Sequence, residues 1–343
     1  MRLEWKGRAP RVCIYLAALC AAVQGSQTAL AGRGTKAQSL PGNSAAAGQA
    51  AASQAETLPA PAVLGGTPDL AFAAYQRGYY VTAMREAMKR IESDPGDGPA
   101  MTLVGELYAL GLGVRQDAAK AASWYKLAAE RGDPQAMFAL ALAKLRGDGI
   151  DKDRAGAVLL FERAAARGHP GALYNLGVLA IENNGVTKDF KTAAEYFRKA
   201  AELGYSDAAY ALGLLYRNGT GVEKSDEEAA EWIGRAARDE NVPAEVEYAI
   251  MLFNGIGVMK DETGAAKLFL KAAMHNNPVA QNRAARILAA GRGLPKNMAE
   301  AMKWHLLANA AGVRDAWLDR ELAKLTPEEK AAVEASLRQF FGN

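Results

Sequence analysis

A 36-residue period runs through this chain six times without an insertion. A large residue recurs at Trp124, Leu160, Tyr196, Trp232, Leu268 and Trp304. A glycine keeps the same step, at Gly113, Gly149, Gly185, Gly221, Gly257 and Gly293. An alanine pair follows it from Ala128-Ala129 to Ala272-Ala273, and the sixth copy keeps Ala308 alone. Three position types in one register specify a solenoid, whose units bury their apolar faces only against neighbours. The predicted fold is all-α, a right-handed stack of helix-turn-helix units. A stack offers a long concave surface rather than one deep pocket, which favours binding over catalysis.

The third copy shows the local logic. Leu173, Leu176, Gly177 and Ala180 fall three and four residues apart, the spacing of one helix face. Gly177 lets the paired helix approach closely; Gly105 and Gly213 repeat it, and Ala141, Ala249 and Ala285 replace it elsewhere. Ala193, Phe197 and Ala200 form the facing stripe of the second helix. Gly111, Gly147, Gly219, Gly255 and Gly291 stand two residues before the in-register glycines, a G-x-G stop that supplies positive φ. Asp117, Asp153, Asp189 and Asp261 then precede the second helix as N-caps or first-turn acids. Gly132, Gly168, Gly204 and Gly312 end it, and Pro134, Pro170 and Pro278 open the next first helix.

The front of the chain has a different character. Arg2, Lys6, Arg8 and Arg11 precede an uncharged apolar run from Val12 to Val23, and Ala29-Leu30-Ala31 offers a cleavage site. This is the layout of a secretory signal. The run is short for a spanning helix, which needs about 20 apolar residues; retention as an anchor is the alternative. Removing four basic residues and Glu4 from totals of 41 and 38 leaves 37 of each, so the apparent basicity belongs to the signal. No polybasic run remains for nucleic acid or anionic lipid. Cys13 and Cys20 leave with the signal too, so the mature chain is expected to hold no disulfide and no cysteine metal site. From 32 to 68 the chain is rich in Ala, Gly, Ser, Gln and Pro and reads as a disordered tether.

Both ends of the array carry caps. Leu70 to Ser93 is expected to form a tighter helix pair, turning at Gly78 to Ala83. Val313 to Leu325 gives one helix. Thr326-Pro327-Glu328-Glu329 opens another, with Thr326 as N-cap and Glu329 closing a capping box.

The pattern, as in Ala172-Leu-Tyr-Asn-Leu-Gly177 followed by Ala193-Ala-Glu-Tyr-Phe197 and Ala200-Ala-Glu-Leu-Gly204, resembles the Sel1-like repeat, a longer-looped relative of the tetratricopeptide repeat. Ala71-Phe-Ala-Ala-Tyr-Gln-Arg-Gly-Tyr-Tyr80 and Val279-Ala-Gln-Asn-Arg283 add a narrower resemblance, to the ExoR-type periplasmic regulators of rhizobia. That resemblance implies an exported protein that binds the periplasmic domain of a sensor histidine kinase and restrains it, with effects on exopolysaccharide and motility. A general scaffold for cell-envelope assembly is the alternative. The implied division is a signal at 1–31, a tether at 32–68, a tetratricopeptide-like pair at 69–99, six repeats at 100–312 and capping helices at 313–343.

In related arrays the concave face is lined by first-helix residues. Mapped by register, these include Phe138, Tyr174, Tyr210 and Val246, then Glu106, Leu142, Val178, Leu214, Ile250 and Arg286, and one turn on Ile181, Arg217 and Phe253. Exposed apolar and aromatic surface of this kind marks a partner site. The recurring Trp slot is instead expected to pack inside the array, because Leu160 and Leu268 share it. His169, His275 and His305 occupy three different structural positions and suggest no metal site; a pH-sensing role is the residual functional reading. No G-x-S-x-G, H-E-x-x-H or paired-Cys motif occurs. Exported Sel1 proteins that resemble weak β-lactamases are disulfide-rich, unlike this mature chain. No enzyme activity and no cofactor are expected.

Overall fold

A computed structural model describes residues 69–182 and 188–342, which belong to one unit beginning at Thr67. The signal and tether expectations, and the glycine at 185, lie outside the described residues. Sixteen helices and no strand occur among the described residues. After a pair at Leu70–Gln76 (α1) and Tyr80–Ser93 (α2) come six regular pairs. These are Gly98–Leu110 with Ala118–Glu130 (α3, α4), Pro134–Arg146 with Arg154–Ala165 (α5, α6), and Pro170–Ile181 with Phe190–Glu202 (α7, α8). Ser206–Asn218 with Asp226–Arg238 (α9, α10), Val242–Asn254 with Glu262–Met274 (α11, α12), and Pro278–Ala290 with Met298–Ala310 (α13, α14) complete the series. Ala316–Ala323 (α15) and Pro327–Phe341 (α16) follow. The N-terminal turn is tighter than expected: Tyr80 to Ala83 already belong to α2.

Most helix starts have a side-chain anchor; those at Tyr80 and Ser206 do not. Asp117, Asp153, Asp189, Ser225, Asp261 and Asn297, again 36 apart, each accept a hydrogen bond from the backbone N–H three residues on, at 2.8 to 3.1 Å. Such caps are typically worth about 1 kcal/mol each. A second series, Asp97, Asp133, His169, Asn241 and Asn277, caps first helices in the same way. Thr326 and Glu329 form the expected capping box.

The two glycines of the G-x-G stop do different things. Gly111, Gly147, Gly219, Gly255 and Gly291 end first helices in the left-handed conformation. The second glycine seats the loop on the preceding repeat. A Cβ at Gly257 would stand 1.8 Å from the Asp226 carbonyl oxygen, and one at Gly293 2.1 Å from that of Glu262. Gly113 lies the same way against Tyr80 and Val81, so α1 and α2 stack onto the array as another unit. By contrast, Gly168, Gly204 and Gly312, which end second helices, have open space around them, a Cβ at Gly132 would meet only the Arg167 side chain at 3.4 Å, and the same slot holds Glu240 and Asn276 at φ 60 and 58.

The core runs along the stack. Tyr125, Phe161, Phe197, Ile233, Phe269 and His305 fill one buried row of the second helices. Gly105, Gly177 and Gly213 admit Tyr125, Phe197 and Ile233; an added Cβ would meet those side chains at 2.5 to 2.6 Å. In the Trp slot, Leu160 and Trp304 are buried, and Trp124, Tyr196 and Leu268 pack against the core. Trp232 stays half-exposed, with Nε1 donating to Glu228 and Arg235 over its ring.

Candidate functional site

The row expected to lead the concave face is corrected by the structure. Tyr174, Tyr210 and Val246 are buried, as are Leu214 and Ile181. The cause is repeat stacking. The Tyr174 ring lies 5.5 Å from Phe197 and 5.3 Å from Tyr205, the residue that leads into the next repeat. Phe138 is half-buried, stacked at 4.5 Å on His169 of the following unit. His169 itself is a structural device. Its Nδ1 accepts from Ala172 N at 3.1 Å, so Nε2 carries the proton and donates to Gln135 Oε1 at 2.9 Å. Burial pushes its pKa down to about 4 against the pull of Asp133, which keeps the ring neutral in the role of cap. Val178 is half-buried, and Arg217 pairs with Glu247 of the next repeat.

The three remaining residues come together. Ile250, Phe253 and Arg286 border a groove of about 450 Å³ between α11, α13 and α15. Ile287 and Trp317 extend its apolar lining, and Arg283 and Arg292 join Arg286 at its sides. Two of the three arginines are held in place. Arg286 grips Asp315 through both Nε and Nη2, and its guanidinium lies 5.8 Å from the Trp317 ring centre. Arg292 grips Glu262 likewise and lies 4.2 Å above Phe253. Planar guanidinium on carboxylate and aromatic face is the arrangement that fixes an arginine most firmly.

The electrostatics follow from these partners. Burial alone would raise the Asp315 pKa, but hydrogen bonds from Arg286, Asn282 and the Leu318 N–H hold it far below the usual carboxylate range. Arg292, with Lys260, brings Glu262 down to about 2. Both carboxylates are therefore charged at neutral pH; Asp315 neutralises Arg286, while Glu262 is shared between Arg292 and Lys260. Arg283 is exposed and forms no ion pair among the described residues. The groove thus combines an apolar floor with a net positive border: Arg283 has no ion-pair partner among the described residues, and Glu262 is shared between Arg292 and Lys260. Register alone does not lead to Trp317, because α15 lies beyond the last repeat. Arg283 was visible in the Asn282-Arg283 run, although its open side could not be read there.

A second hollow, of about 510 Å³, lies on the second helices α6 and α8, over Tyr196, Leu173 and Leu176. Glu162, Glu202 and Lys199 border it with mixed charge. Among the described residues no three His, Cys, Asp or Glu side chains are grouped to hold a metal ion, and no helix is long and apolar enough to cross a membrane.

A stacked helical array with an open groove of this kind is a protein-interaction module. The chain belongs to the Sel1 repeat family, whose model matches residues 98–133, 134–169, 170–205, 206–241, 242–277 and 278–313. It is similar to a Sel1 repeat protein from Oxalobacter formigenes, at 29% identity and TM-score 0.59, covering 73% of this chain and 100% of that one. A protective antigen of uropathogenic Escherichia coli with an SLR fold matches at 26% identity and TM-score 0.46, over 80% of this chain and 67% of that one. An immunity protein from Pseudomonas aeruginosa matches at 20% identity and TM-score 0.40, over 62% and 81%. No curated protein matches the chain.

Proposed function

We propose that this protein is exported to the periplasm and binds the ectodomain of a sensor histidine kinase, restraining it. The observation that carries the binding part is the C-terminal groove bordered by Ile250, Phe253 and Arg286, whereas Tyr174, Ile181, Tyr210 and Leu214 of the central repeats are buried. The signal-like N-terminus supports export. The resemblance of residues 71–80 and 279–283 to ExoR-type regulators supports the kinase and the link to exopolysaccharide and motility. The array would act by occupancy: binding one kinase conformation better than the other shifts the equilibrium toward it, with no chemistry required.

The test has two parts. N-terminal sequencing of the periplasmic fraction should find a chain that starts at Gly32. Deletion of the gene in its host should change exopolysaccharide and motility, and an exported copy carrying Phe253→Ala should fail to restore them. A chain retained in the cytosol, or a deletion without effect on either trait, overturns the proposal.

A further inference from the structure

We infer that the groove of the last two repeats recognises a peptide segment in which an acidic side chain stands next to a large aliphatic or aromatic one. This rests on the partner-binding reading and adds the chemistry of the partner. The arginine pairings carry it. Arg286 and Arg292 are committed to Asp315 and Glu262 and lie over Trp317 and Phe253, so they serve as walls. Asp315 neutralises the first, and Glu262 is shared between Arg292 and Lys260, so the second side keeps a positive excess. Arg283 stands on the same lining without an ion pair among the described residues. Any partner that covers Ile250, Phe253 and Trp317 also withdraws water from Arg283. A buried charge without a partner opposes binding strongly, so a neutral or cationic segment is disfavoured. A carboxylate turns the same guanidinium into a bidentate contact.

The other anionic occupants fit less well. A polyanion such as a nucleic acid gains affinity from many unpaired cations, and of the arginines lining this groove only Arg283 lacks an ion pair among the described residues. The floor asks instead for a large apolar side chain beside the acid. The volume of about 450 Å³ accommodates a few side chains, not a folded surface. Because both walls are pinned, little ordering accompanies binding, which favours affinity from a short segment.

The test uses the exported chain as bait for a displayed random-peptide library. Enriched peptides are then synthesised and titrated by fluorescence anisotropy against wild type, Arg283→Ala, Arg283→Lys, Phe253→Ala and the outer-surface control Glu195→Ala. The enriched set should share an Asp or Glu beside a large apolar residue. Arg283→Ala should weaken binding about tenfold, as expected for one charge-assisted contact, and should reduce its salt dependence. Arg283→Lys should recover part of the loss. Phe253→Ala should cost about thirtyfold, a hot-spot effect, and Glu195→Ala nothing. Enrichment of nothing above background, of peptides without acids, or of peptides indifferent to both Arg283→Ala and Phe253→Ala overturns the inference. If the kinase ectodomain binds wild type and both variants equally, the partner-binding reading stands and this groove chemistry falls. If acidic–apolar peptides bind as described but the kinase ectodomain does not, the reverse holds.

Discussion

Replacing Gly257 by alanine should separate two repeats, while the same change at Gly204 should not. Both glycines have positive φ, 63 and 86. The left-handed backbone therefore costs each alanine variant about 1–2 kcal/mol. Their surroundings differ. At Gly204 a Cβ meets nothing within 4 Å, and sister repeats already carry Glu240 and Asn276 in that slot. At Gly257 it would lie 1.8 Å from the Asp226 carbonyl oxygen and 2.2 Å from its carbon. Backbone cannot turn away as a side chain can, so the loop must lift from the start of α10. Overpacking of this kind adds about 1–3 kcal/mol. In an array this size each kcal/mol lowers the melting temperature by roughly 2–4 °C. Gly257→Ala should thus melt several degrees below Gly204→Ala in a circular dichroism scan. Nearest-neighbour coupling localises the damage, so amide exchange should accelerate in α9 to α12 before α3 to α6. Equal melting temperatures for the two variants would refute the assignment of the second glycine to inter-repeat contact.

Three further outcomes are expected. Gly177→Val should destabilise by about 1–3 kcal/mol through collision with the buried Phe197 ring; an unchanged thermal melt would contradict the packing described. Tyr174→Ala should cost about 3 kcal/mol by opening a cavity between repeats, so its effect should appear in melting rather than in binding alone. Glu106 is a pH-dependent element: burial, then the nearby Asp133, raises its pKa from 4.5 to about 7. The folded state therefore holds that proton more tightly, and stability should fall as pH rises through this window. Glu106→Gln should flatten that part of the melting-temperature profile, and an unchanged slope would show that another group titrates.

The fold was legible because solenoid contacts repeat. Caps, stops and the aromatic row recur at one interval, so one repeat read closely explains the others. His169 shows a limit: it stands in a series of Asp and Asn caps, yet its residue type draws attention toward chemistry. The candidate site was legible only in part. Register maps Phe253 and Tyr174 onto the same general face, but it does not say which neighbouring side chain each one meets. Tyr174 closes against Tyr205, and Val246 in the same slot is buried too, whereas Phe253 borders the groove. Trp317 and Asp315 complete the groove from α15, which no repeat interval reaches.

Photocrosslinking in the living envelope tests the central claim most directly. A benzophenone amino acid replaces Phe253 in one strain and Lys199, at the edge of the outer hollow, in another. The account predicts that position 253 captures the kinase ectodomain on irradiation and that position 199 does not. Capture from position 199 alone would contradict it and place the partner on the outer surface of the array.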